Sequence, residues 1–126
     1  MSACLLDIST LLAWLWPNHE AHDLVTAWQK GKVVAICPLT ELGFLRISTQ
    51  ANFGATPDQA RRMLDAWRKV RKPVFIPCDM SALDGGEPWS GNVTTDFYLA
   101  DLAARHDMLW ATLDEHSMHS NAEVIR

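Results

Sequence analysis

Four short apolar runs separate stretches of helical periodicity along this 126-residue chain, and that alternation limits the folds open to it. The runs are Ala3 to Leu6, Lys32 to Cys37, Val74 to Ile76 and Met108 to Leu113. Apolar runs that alternate with helical patterns are the signature of an α/β fold with a parallel sheet, joined by right-handed crossovers. A further segment, Glu123 to Ile125, is expected to add a small edge strand.

The helices between the runs differ in how clearly they are marked. Ser9 to Trp16 reads as a short helix stopped by Pro17, and a second runs from a cap near Asn18 to Lys30, with Ala21, Leu24, Val25 and Trp28 as its apolar stripe. Pro38 is expected to end the second strand, and Thr40 to cap a helix reaching Thr49 with Leu42, Phe44 and Leu45 turned inward. The clearest helix follows Thr56-Pro57-Asp58-Gln59, a capping box with proline at the first helical position. Ala60, Met63, Leu64, Trp67 and Val70 follow it at helical spacing, and Lys72-Pro73 closes it. Asp84 to Asn92 is dense in turn formers and reads as a loop. Thr94 to His106 reads as a helix, and Glu115 to Asn121 as a short one.

A chain of this length fits one domain, residues 1–126. The formal charge of −4, from 15 acids against 11 Lys and Arg, argues against a non-specific nucleic-acid coat protein, which carries a basic face. Three widely spaced cysteines, Cys4, Cys37 and Cys78, give no disulfide framework and point to a reducing cytoplasm. The apolar N-terminus lacks a basic segment and is interrupted by Asp7, so it is not read as a signal peptide. The uncharged stretch from Ile8 to Asn18 is too short to span a bilayer.

Ligands of such sheets sit beyond the carboxyl ends of the strands, and acids cluster there. Asp7 directly follows Leu5-Leu6, and Asp114 directly follows Leu109 to Leu113. Glu41 falls in the first turn of the helix after the second strand, and Asp96 opens the helix leading into the fourth. An acid in a first helical turn complements the macrodipole, which accounts for Glu41 or Asp96 taken singly. An acid closing an apolar strand is costly unless solvated or paired. Four such carboxylates repel when bare, and a hard divalent cation removes that cost; oxygen-only donors suit Mg²⁺ or Mn²⁺ rather than zinc. Carboxylate-held Mg²⁺ is the arrangement used in phosphoryl chemistry. Asp101, five residues after Asp96, reads as surface charge or a peripheral metal contact.

These residues lie in four motifs. Leu5-Leu6-Asp7-Ile8-Ser9-Thr10-Leu11-Leu12 resembles the opening motif of PIN-domain ribonucleases. Cys37-Pro38-Leu39-Thr40-Glu41-Leu42-Gly43-Phe44-Leu45-Arg46 resembles the second motif of their VapC-type toxin branch. Thr95-Asp96-Phe97-Tyr98-Leu99-Ala100 resembles the third, and Ala111-Thr112-Leu113-Asp114 the fourth. The resemblance implies a three-layer α/β/α PIN-like domain with a four- to five-stranded parallel sheet. It implies a metal-dependent endoribonuclease in which Asp7, Glu41, Asp96 and Asp114 are catalytic and hold Mg²⁺ or Mn²⁺. Water then attacks the phosphodiester and leaves 5′-phosphate and 3′-hydroxyl ends. Ser9 and Thr112 match positions where a small polar side chain supports the pocket, although the family more often has Asn where this chain has Ser9. The resemblance also implies a homodimer, a cognate antitoxin that inserts a segment near the active site, and a structured RNA substrate such as tRNA.

Arg61, Arg62, Arg68, Lys69, Arg71 and Lys72 crowd into twelve residues. Arg61, Asp65, Arg68 and Lys72 share one exposed strip, while Asp58 and Asp65 are spaced to pair with Arg62 and Lys69. Such a helix is either a solvated, ion-paired face or a phosphate-contacting one. Arg46, Arg61, Arg68 and Lys72 are the candidate contacts to RNA or to an antitoxin acid. His19, His22, His116 and His119 give no closed zinc set and read as surface histidines. Trp14, Trp16 and Trp67 read as packing residues, and Trp89 as an exposed aromatic.

Two other readings of an acidic pocket on a parallel sheet meet specific obstacles. A phosphorylation-regulated receiver needs paired acids after its first strand and a lysine near its last; Leu6-Asp7 is not a pair, and no lysine follows Lys72. A haloacid-type phosphatase needs a second acid two residues after Asp7, where this chain has Ser9. A catalytically silent binding module on the same fold remains, and the intact quartet weighs against it.

Overall fold

The computed structural model describes residues 3–86 and 91–126. Its strands are β1 (Cys4–Leu6), β2 (Val34–Ile36), β3 (Val74–Phe75), β4 (Leu109–Thr112) and β5 (Ala122–Val124). Its helices are α1 (Ile8–Leu15), α2 (His22–Trp28), α3 (Pro38–Ser48), α4 (Pro57–Arg71) and α5 (Thr94–Arg105). All strand pairs are parallel, in the order β3-β2-β1-β4-β5. The expected α/β class and five-stranded sheet are both present.

Alternation along β1 explains the layers. Cys4 and Leu6 point to one face, where Leu11 and Leu12 of α1, Phe44 of α3 and Leu64 of α4 pack. Leu5 points to the other face, against Leu99, Leu102 and Ala103 of α5 and the buried Trp110. The sheet is thus covered on both sides, as a parallel sheet requires. Trp14 meets Trp67 edge-on at 5.2 Å, and Trp16 packs on Phe53 while its indole N–H donates to Ser48 Oγ at 2.9 Å. These tryptophans are packing residues, as expected. Trp89 lies outside the described residues.

Several boundaries differ from the sequence expectation, each for a local reason. Asp7 itself caps α1, so the helix starts at Ile8. α2 starts at His22 rather than near Asn18, because Pro17 to Ala21 forms successive turns closed by His19 N–H to Trp16 O and His22 N–H to His19 O. Pro38 opens α3 instead of merely ending β2, since a first-turn proline forfeits no helical hydrogen bond. Thr40 is inside that helix, and its hydroxyl donates to Leu6 O at 3.0 Å. Glu115 to Asn121 forms turns and no helix. Asp114 Oδ1 takes the His116 N–H and the His119 ring takes the Asn121 N–H, so local side-chain bonds compete with helical ones.

Two inward assignments are also corrected. Leu42 is 61% exposed, because the buried row of α3 runs through Thr40, Gly43, Phe44 and Ser48. Val70 is 85% exposed, because the inward row of α4 continues from Ala60, Leu64 and Trp67 to Arg71, whose guanidinium lies over Trp14 at 5.5 Å. The capping box of α4 is present, with Gln59 N–H donating to Thr56 Oγ1 and Thr56 N–H to Gln59 Oε1.

Candidate active site

The chain steps outward from β1 through β2 to β3, then returns through α5 to β4 on the other side of β1. The strand order therefore reverses between β1 and β4, and the crevice beyond their carboxyl ends is where such folds bind ligands. A pocket of about 480 Å³ opens there. Asp7, Asp96 and Asp114 line it, together with Ser9 and Thr112.

Asp7 is the most enclosed of these acids, at 5% exposed. Its N–H donates to Ala111 O at 3.1 Å, which ties it to β4, and its Oδ1 accepts the Thr10 N–H as the cap of α1. Burial pushes its carboxyl from 3.8 up to about 6. Hydrogen bonds from Thr10 and Thr112 act the other way, and the negative charge of Asp96 adds to the rise. Burial likewise raises Asp96 in the first turn of α5, with Asp114 reinforcing the shift. Thr112 is fully buried, and its hydroxyl accepts the Asp114 N–H at 3.1 Å. One threonine thus touches both acids that follow strands. Ser9 stands exposed at the pocket wall.

Glu41 is placed differently. Thr40 pins the first turn of α3 to the residue before Asp7, so Glu41 arises beside the pocket. Its side chain turns instead toward α4, where Arg68 donates to Oε2 at 2.9 Å. It lines a second groove of about 410 Å³ between α3 and α4, with Leu42, Leu45, Arg61, Leu64 and Arg68. Among the described residues, three of the four expected acids therefore share one pocket and the fourth faces its neighbour. No three His, Cys, Asp or Glu side chains among the described residues stand close enough together to hold one ion jointly.

The remaining candidates separate into paired and unpaired groups. Arg62 pairs with Asp58 at 3.2 Å and Lys69 with Asp65 at 2.8 Å, both as spaced in the sequence. Arg71 donates to Gln29 and to Lys32 O. Arg46, Arg61 and Lys72 form no ion pair among the described residues. Asp101 is not a surface charge, and it lies outside the acidic pocket: its Oδ1 meets His119 Nε2 at 2.9 Å. His119, expected at the surface, is buried. Sequence reasoning missed the far wall of the pocket, formed by His19, Glu20, Leu24 and Glu115. Glu115 was visible as the neighbour of Asp114, whereas His19 and Glu20 arrive on the Pro17 to Ala21 turns that read as helix.

A covered parallel sheet with carboxylates converging at its switch point defines a PIN-like α/β/α domain. Comparison with known proteins agrees. The chain is similar to Ribonuclease VapC38 of Mycobacterium tuberculosis, at 35% identity over 87% of this chain and 84% of the relative. It is similar to Ribonuclease VapC29 of the same organism at 31% identity over 95% and 92% of the two chains. Among solved structures, its fold matches VapBC2 from Rickettsia felis bound to a DNA fragment from their promoter, with a TM-score of 0.63 at 13% identity over 97% and 98% of the chains. It also matches FitAB bound to an IR36 DNA fragment, with a TM-score of 0.60 at 20% identity over 88% and 85%. No family model matches the chain. The chain belongs to the VapC ribonuclease family. This membership sets the receiver-domain alternative aside.

Proposed function

We propose that this chain is a divalent-metal-dependent endoribonuclease and the toxin of a toxin–antitoxin pair, acting as a single domain in the cytoplasm. The observation that carries the reading is the convergence of Asp7, Asp96 and Asp114, from three separate elements, on one pocket at the switch point. Two of these acids are held protonated more readily than free carboxylates, which is the strain a cation relieves.

The donor set fits Mg²⁺ or Mn²⁺. Every candidate ligand is a carboxylate oxygen, and the acids line the pocket without gathering at one point. That suits Mg²⁺, which keeps several waters and binds through one or two carboxylates plus substrate phosphate. Of Asp7, Asp96 and Asp114, one or two would ligate it directly and the rest through its waters, with Glu41 joining when released from Arg68. The ion supplies Lewis-acid stabilisation of phosphodiester oxygens and a water of lowered pKa. The chain's own groups do the positioning. Thr10 and Thr112 orient Asp7, the His116 N–H holds Asp114, and Arg61 and Arg68 at the adjoining groove contact RNA backbone phosphates. Arg46 and Lys72 are further contacts to RNA or to the acidic residues of an antitoxin. The substrate is structured RNA such as tRNA, and the working unit is a homodimer restrained by its cognate antitoxin.

The test is purified protein on a panel of RNAs with and without EDTA, beside Asp7→Asn and Asp114→Asn. Cleavage is expected to need added Mg²⁺ or Mn²⁺ and to vanish in both variants. Persistence in EDTA, or wild-type rates from both variants, would refute the mechanism. A short neighbouring gene for a DNA-binding antitoxin is expected beside this one.

A further inference from the structure

Asp101 and His119 lie outside the lining of the acidic pocket, and the proposed reaction leaves them unused. Their side chains are 15% and 3% exposed, and Asp101 Oδ1 lies 2.9 Å from His119 Nε2. The other ring nitrogen, Nδ1, accepts the Asn121 N–H at 3.0 Å. A nitrogen that accepts carries no proton, so the proton sits on Nε2 and points at Asp101. The face of the ring is fixed too, since Phe97 meets it edge-on at 5.0 Å. Asn121 extends the attachment by donating its side-chain amide to Ala100 O at 3.1 Å and Met108 O at 2.8 Å.

These bonds join two pieces of chain that each carry a pocket acid. α5 contributes Asp101, Phe97 and Ala100, and it carries Asp96 in its first turn. The segment from Asp114 to Asn121 contributes His119 and Asn121, and Asp114 begins it. That segment is neither helix nor strand, and only at its end does it join the sheet, where Asn121 O accepts the Trp110 N–H at 3.0 Å. Asp96 and Asp114 line the same pocket, and two carboxylates brought together there repel. Thr112 holds the Asp114 N–H at the start of the loop, and beyond that point the loop drifts from α5 unless something fastens it. A buried acid bonded to a neutral imidazole is a poor choice for stability alone, because burying the acid offsets much of what the bond gains. Its directional bonds instead specify one position of the loop.

We propose that Asp101 and His119 are a positioning pair that fastens the Asp114 loop to α5 and so sets the spacing of Asp96 and Asp114. The inference rests on the reaction proposed above, in which those two carboxylates serve one centre. Outer partners that orient ligating carboxylates are a general requirement of such centres.

The test compares wild type, Asp7→Asn, Asp101→Ala and Asp101→Asn in the full chain, all assayed well below their melting temperatures. Asp101→Ala is expected to lower kcat about 10- to 100-fold with KM for RNA little changed. It is also expected to weaken binding of Mn²⁺ alone, titrated without RNA. Asp101→Asn keeps an oxygen that accepts the Nε2 proton and is expected to recover most of both losses. If Asp101→Ala does not fold, Asp101→Ser, too short to reach Nε2, takes its place. A folded Ala or Ser variant that cleaves RNA and binds Mn²⁺ like wild type overturns the inference and leaves the proposed function standing. Equal losses in Asp101→Asn and Asp101→Ala overturn it as well, because charge and not the bond then matters. A wild-type protein that neither binds Mn²⁺ nor cleaves RNA overturns both readings together.

Discussion

Asp7 serves α1 and opposes the stability of the whole fold at the same time. As a cap it takes the Thr10 N–H, yet burial holds its carboxyl near 6 against 3.8 when free. Below pH 3.8 it is protonated both folded and unfolded and costs nothing. As pH rises from 3.8 to about 6 the unfolded chain ionises first, so the folded state loses ground, and above 6 the full cost remains. A rise of about two pH units corresponds to about 3 kcal/mol at neutral pH, and Asp96 shifts in the same direction. Asp7→Asn keeps the capping oxygen and removes the buried charge. Without added metal it is expected to be more stable than wild type by about 1–3 kcal/mol at pH 7, with little difference near pH 4. Urea unfolding at the two pH values measures this. Equal gains at both would show that relief of the ionised form is not the cause. The same variant is expected to lose cleavage, the exchange of stability for function found at strained sites.

At the scale of elements, the site depends on how closely α1 and α3 meet. Gly43 lies where a Cβ would overlap the Ile8 side chain, so the helices approach at this point only because residue 43 has none. Gly43→Ala is expected to destabilise by about 1–3 kcal/mol, as overpacking does, and to lower activity by displacing the turn that carries Thr40 and Glu41. Thr56→Ala removes one side of the capping box of α4, a helix that lines none of the acidic pocket, and is expected to cost about 1 kcal/mol without changing kcat. Denaturant midpoints and steady-state rates separate the two. Elements written in local chemistry were legible in the sequence, as the capping box of α4 and the apolar runs of the strands show. Asp7, Asp114 and Thr112 were legible because strand ends fix where the next residue points, and Asp96 because it opens a helix. What escaped was set by distant partners. Glu41 turns to an arginine 27 positions away, and the buried His119 bonds Asp101 18 positions away, which no local pattern announces. The stretch from Glu115 to Asn121 has helical composition, but its side chains are committed to turns and to α5.

For the whole molecule, the −4 charge takes on a location. The quartet contributes four of the 15 acids, and without it 11 acids stand against 11 bases. Three members of that quartet share a pocket in which at least two carboxyls resist ionisation. A cation bound there favours the folded chain, because the unfolded chain has no such pocket. The gain follows mass action and reaches about 2.7 kcal/mol at one hundred times the dissociation constant. For a chain of this size, that raises the melting temperature by roughly 5–15 °C. Mg²⁺ is therefore expected to raise the melting temperature of the wild type, and EDTA to reverse it. The same Mg²⁺ concentration is expected to leave Asp7→Asn nearly unmoved. Ion and substitution relieve one cost, the buried charge of Asp7, so their effects do not add. A thermal melt of both proteins with and without Mg²⁺ decides the matter. An equal rise in both would place the cation elsewhere on the surface, since screening of scattered charges does not depend on residue 7. A rise confined to the wild type would mean that the acidic surplus of this chain is concentrated where a metal neutralises it. Arg61 of α4 and Lys72 at its C-terminal end, which form no ion pair among the described residues, would then be free to face a polyanion.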